Sequence, residues 1–156
     1  MRICLVVLFL TSFFVRSQKQ WGIEALVNRF DVYTQISYIH SIQSNQDITF
    51  AIGTGVRSTF AARTLHPSLN IRYNYAYLQR KKLNLIIGGN TLSTYLPVGE
   101  KNSTFFNEVG LHTSLVVGTR LKYHLNLGGG VGLESFPKGT TTYLNANLNM
   151  GWSYAF

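Results

Sequence analysis

Cysteine is almost missing from this 156-residue chain: Cys4 is the only one. A disulfide framework is therefore excluded as the source of stability. Proline is scarce, at positions 67, 97 and 137 only, and each position suits a loop or a strand beginning. After residue 17 no stretch approaches the roughly 18 consecutive apolar residues of a membrane helix. Sustained 3.6-residue periodicity is also lacking, which argues against a helical fold. Acidic residues number 6 against 14 Lys and Arg, a net charge of +8. The excess base is dispersed rather than gathered on one helix or ribbon, so no nucleic-acid partner is expected. His40, His66, His112 and His124 stand apart with no cysteine beside them, which excludes a zinc-type cluster. Gly128-Gly129-Gly130 and Gly132 are followed by no helix and form no phosphate loop. Neither a metal nor a cofactor is expected.

What the chain has is alternation. Read back from Phe156 in steps of two, one face runs Phe156, Tyr154, Trp152, Met150, Leu148 and Ala146, while the other carries Ser153, Gly151, Asn149, Asn147 and Asn145. That is a strand with one apolar and one polar face. The pattern recurs along the chain and predicts about eight strands, over 20–29, 33–43, 47–58, 67–79, 82–94, 106–120, 123–135 and 141–156. Leu26, Ile39 and Ile86 break it, falling on the polar side. Connections should alternate between tight turns near 44–46, 80–81 and 122 and longer loops at 59–66, 95–105 and 136–140. The polar face is rich in Gly, Ser and Asn and poor in Lys and Glu, unlike a solvated surface. It fits a crowded barrel interior, with Trp21, Tyr73, Tyr75, Tyr77, Trp152 and Tyr154 forming aromatic girdles outside.

Residues 1–17 hold Arg2, the apolar run Ile3 to Leu10, and Val15 and Ser17 at the spacing of a cleavage site. This predicts a signal peptide over 1–17 and a barrel domain over 18–156.

Six ionisable residues fall on the inferred inner face: Glu24, Glu108 and Glu134 with Arg57, Arg72 and Arg120. An eight-stranded barrel is just wide enough for side chains to fill. Unpaired charge inside it is costly, so a paired Arg–Glu network that plugs the lumen is expected. His112 and Ser114 are two apart on one strand and share a face. The pair is similar to the Ser-His pair of lipid A deacylases, but it lies on the inward phase, out of reach of a membrane acyl chain. Lumen filling is the expected role of both residues.

The terminal Phe156, preceded at every second position by Tyr154, Trp152 and Met150, resembles the insertion signal of bacterial outer-membrane β-barrels. Over residues 18–156 the strand pattern resembles the small eight-stranded barrels of the OmpA/OmpX type, with a Bacteroidetes-like flavour in its Tyr- and Asn-rich strands. The resemblance implies an all-β, antiparallel, up-and-down transmembrane barrel in the bacterial outer membrane. The expected partners are outer-membrane lipid and lipopolysaccharide, the barrel-assembly machinery during insertion, and a larger outer-membrane complex for secretion, assembly or uptake. A non-enzymatic structural or accessory role is the first reading. A lipid A-modifying enzyme using His112 and Ser114, or a narrow channel, are the alternatives.

Overall fold

A computed structural model describes residues 19–28, 31–58, 63–98, 102–136 and 139–156. The expected signal segment 1–17 lies outside the described residues. Eight strands form: β1 (Lys19–Asn28), β2 (Asp31–Gln43), β3 (Gln46–Ser58), β4 (Arg63–Arg80), β5 (Leu83–Val98), β6 (Asn102–Gly118), β7 (Leu121–Phe136) and β8 (Gly139–Ala155). Each pairs antiparallel with the next, and β1 pairs with β8 to close the barrel. Closure removes the sheet's open sides, as a bilayer requires of a strand-built span.

The register fixes the shape. From Lys19 the ladder passes through His40, Ile48, Tyr73, Gly89, Leu111 and Gly129 to Ala146. Ala146 stands one residue beyond the Asn28–Asn147 pair. One circuit has thus climbed from the level of residue 19 to that of residue 29, a stagger of ten. With eight strands this tilts each by about 40°, so a residue rises about 2.5 Å along the barrel axis.

One end, the turn end, carries the two-residue turns at 44–45, 81–82 and 119–120 together with Lys19 and Phe156. The other, the loop end, carries the connections at 29–30, 59–62, 99–101 and 137–138. These are shorter than expected. Alternating strand-formers such as Leu65, Tyr95, Thr104 and Phe105 carry β4, β5 and β6 well into the segments read as loops. Pro67 accordingly lies within β4 rather than at its start.

The two faces separate by alternation, and β1 reads exposed–buried over its whole length; near the turn end the pattern breaks, where Ile39 and His40 are both buried and the register shifts at Ser41/Gln43 and Ala76/Leu78. Outside, Leu111 and Leu144 are 74% and 79% exposed. Water would not tolerate so much bare aliphatic surface around a whole barrel, whereas hydrocarbon does. Aromatics crowd the turn end of the exterior: Trp21, Tyr75, Tyr77, Tyr123, Trp152 and Tyr154 all stand exposed there. Tyr95 and Phe105, edge to face at 5.6 Å, mark the other rim.

Candidate functional site

The lumen is where the sequence places its candidate residues, and its filling changes along the axis. Near the loop end Leu26, Tyr33, Leu92 and Phe106 form a buried apolar cluster, with Tyr143 packed against it. Phe106 and Tyr143 stack, ring centroids 5.5 Å apart. Gly132 makes room for the stack, since a Cβ there would lie 2.7 Å from the Tyr143 ring. Leu26 is one of the residues that broke the sequence alternation. It points inward all the same, as do Ile39 and Ile86, because a barrel interior accepts apolar side chains as readily as polar ones.

Below the cluster the filling is polar. Arg72 on β4 reaches across to Glu24 on β1, its Nη2 donating to Oε1 at 2.6 Å, and both are buried. Asn149 Nδ2 donates to the other Glu24 oxygen at 2.7 Å. A fully desolvated ion pair holds only when further hydrogen bonds complete its shell, and Asn149 supplies one. Glu108 is also buried, but its donors are carboxamides rather than the expected guanidinium: Asn145 and Asn147 at 2.5 and 2.7 Å.

The other expected members of the network are placed differently. Arg120 is exposed in the β6–β7 turn. Gly118, at φ 129°, leaves the extended conformation and ends β6 two residues before it. Glu134 is half-buried near the loop end of β7, level with Phe106 and Thr141 and away from the Glu24–Arg72 pair. The backbone of Arg57 pairs with Asp31 and Thr64, but its side chain lies outside the described residues. Among the described residues, the part of the expected Arg–Glu network that is seen is the Glu24–Arg72 pair, with an asparagine cradle around Glu108. Met150, Trp152, Tyr154 and Phe156 all face outward in one row, with Tyr154 and Phe156 edge to face at 5.2 Å.

His112 and Ser114 are both buried and inward-facing. Asn74 Nδ2 donates to Asp47 Oδ1 and Thr49 Oγ1, which leaves its Oδ1 to accept from His112 Nε2 at 2.8 Å. The imidazole thus donates through Nε2 to a carboxamide. A second Ser-His contact, unforeseen in the sequence, joins His124 Nε2 and Ser153 Oγ at 2.6 Å. There Ser153 donates its own proton to Gln20 Oε1 at 3.3 Å, so it accepts from the histidine. That is the reverse of the polarity a nucleophile needs. A cavity of about 50 Å³ remains in this half, bordered by Asp47, Arg72, Asn74, Ser114, Lys122 and His124. It has room for a few water molecules.

The contributors that sequence reading missed are Asn145, Asn147 and Asn149. Their signal was present, as three carboxamides at spacing two on one face.

In structural comparison the chain matches Neisserial surface protein A, with a TM-score of 0.64 and 8% identity over 90% of this chain and 97% of that one. It also matches the N-terminal β-barrel domain of OprF from Pseudomonas aeruginosa, with a TM-score of 0.55 and 14% identity over 89% of this chain and 100% of that one. The fold is that of the small outer-membrane β-barrels. No protein-family model and no curated protein matches the chain. At such identities the likeness is one of architecture, and the lumen's chemistry must be argued from its own residues.

Proposed function

We propose that the protein is an integral barrel of the bacterial outer membrane with a structural or accessory role, neither an enzyme nor a channel. The observation that carries this reading is the filled lumen. The apolar cluster of Leu26, Tyr33, Leu92, Phe106 and Tyr143 caps the loop end, and the Glu24–Arg72 pair crosses the middle. Both layers stand across the path a solute would take. Its working surfaces are then the outside and the rims. The apolar exterior faces outer-membrane lipid. The bases Lys19, Arg80, Lys81, Lys82 and Arg120 at the turn end stand beside the aromatic belt, where lipid phosphates are natural neighbours. Lipopolysaccharide meets the loop end. The row Met150, Trp152, Tyr154 and Phe156 serves as the insertion signal read by the barrel-assembly machinery. The barrel works alone or beside a larger complex for secretion, assembly or uptake.

Planar-bilayer recording of the purified, refolded barrel tests the reading. Wild-type protein should give no stable conductance steps. Reproducible steps would replace the plug with a channel.

A further inference from the structure

A groove crosses the outer face where β7, β8, β1 and β2 lie side by side. Ladder pairing sets the outward side chains in rows. Tyr123, Trp152 and Ile23 form one row. Leu125, Met150, Ala25 and Thr34 form the next row toward the loop end. Between the rows lie residues 124, 151 and 24. Glu24 and His124 direct their side chains inward, to Arg72 and Ser153, and Gly151 has none to direct. The strip between the rows is therefore bare backbone. Its upper wall drops at the small pair Ala25–Thr34, whereas the outward pairs on either side are Ile23–Ile36 and Val27–Val32. The hollow has a volume of about 490 Å³, and its lining is almost wholly apolar.

Dimensions and charge choose the occupant. Neighbouring rows on one face stand about 7 Å apart, two residues of strand. A helix with its side chains is about 10–12 Å across and cannot enter. From β7 to β2 the groove takes three steps of about 4.8 Å, so it is about 14 Å long, half of the roughly 30 Å hydrocarbon core. That is the reach of an acyl chain from one leaflet. The lower mouth, on β7, faces the β6–β7 turn. Arg120 stands in that turn, its carbonyl accepting from Ala155 N at 3.0 Å. Lys82 stands alongside, its carbonyl accepting from Gly118 N at 3.0 Å. Both bases are exposed, and among the described residues the turn end exposes no Asp or Glu side chain. Its acid, Asp47, is half-buried in the lumen and takes a hydrogen bond from Asn74.

We propose that this groove is a binding site for one phospholipid with a net negative headgroup. An acyl chain lies in it from Tyr123 up to Thr34, and the headgroup phosphate rests by Lys82 and Arg120. The proposal rests on the membrane reading above and deepens it, from lipid as general surroundings to one lipid held at one place. Two effects hold it there. A chain in the groove meets side chains on both sides and backbone beneath, more partner atoms than a level lipid face offers. The two bases favour an anionic headgroup over a neutral one.

The chain's two tryptophans provide the test. Trp152 lines the groove, Trp21 stands outside it, and each is 52% exposed. Single-tryptophan barrels, Trp21→Phe and Trp152→Phe, are refolded into phosphatidylcholine vesicles. These hold a minority of brominated phosphatidylglycerol or, for reference, of brominated phosphatidylcholine. The ratio of the two quenching strengths cancels depth and exposure. It should be at least about twofold higher at Trp152 than at Trp21, as local enrichment of an anionic lipid requires. Ala25→Leu should fill the groove and bring the ratio at Trp152 down to that at Trp21; Thr34→Leu makes the same comparison if that variant does not fold. Lys82→Gln combined with Arg120→Gln should have the same effect by removing the bases. Equal ratios before any change to the groove, or an excess that survives either change, would overturn the proposal. Weaker quenching at Trp152 than at Trp21 by both lipids would also overturn it, in favour of a protein covering the groove. Failure of the membrane reading would show separately, as two tryptophans quenched by neither lipid.

Discussion

The two halves of the lumen solve the same problem with opposite chemistry. At the loop end, Phe106 stacks on Tyr143 beside Leu26, Tyr33 and Leu92, a small core of the kind found in soluble proteins. In the turn-end half, Arg72, Glu24, Asn149, Asn74, His112 and Asp47 fill space with hydrogen bonds. The apolar half gains from burial alone and tolerates imperfect partners. The polar half holds only while each charge keeps its partner. If the lumen is plugged as proposed, sealing falls to the cap and rigidity to the ion pair that ties β1 to β4.

The sharpest way to break this contrast is to remove one member of the pair. Arg72→Ala strands a buried Glu24 and should cost about 3–5 kcal/mol, read as a lower urea midpoint for the refolded barrel. Because the cap is untouched, bilayer recordings of this variant should stay silent. Phe106→Ala should cost about 3 kcal/mol through the cavity it leaves. Here the seal itself is thinned, so a small leak should accompany the loss of stability. A leak from Arg72→Ala and none from Phe106→Ala would reverse the division of labour. Outside the lumen, Met150→Arg puts a base on the lipid face and should cost about 2–3 kcal/mol, seen as reduced insertion into vesicles. The smallest effect belongs to Arg120→Ala, within about 0.5 kcal/mol by the same urea titration, since its side chain is exposed in a turn.

Alternation made the barrel legible. A period of two needs no knowledge of neighbours, and it located all eight strands and the outward row from Met150 to Phe156. The loop end was read too short in strand because 63–66 and 95–105 mix polar and strand-forming residues, and pairing across the hairpin decides their state. The lumen was legible only as a list of inward residues. Which glutamate meets which donor depends on the stagger of ten, and that stagger is a property of the closed ladder rather than of any segment. Hence Glu24 and Arg72 were placed on the inner face without being paired to one another, and arginine was expected at Glu108, whose described donors are Asn145 and Asn147. Arg120 was misplaced by a single feature, the strand ending at Gly118.

The β1–β8 seam also sets an order of events. It joins strands far apart along the chain; the Asn149–Glu24 hydrogen bond spans 125 positions. Every other ladder links sequence neighbours through a short hairpin and can form as soon as both strands exist. The seam must wait for the final strand, and its closure pays the largest loop entropy in the molecule. Until then β1 and β8 are unpaired edges bearing Trp21, Ile23, Met150 and Trp152, a hazard for aggregation in water. The last strand to form is therefore the one that ends this exposure, since only its pairing with β1 covers both edges.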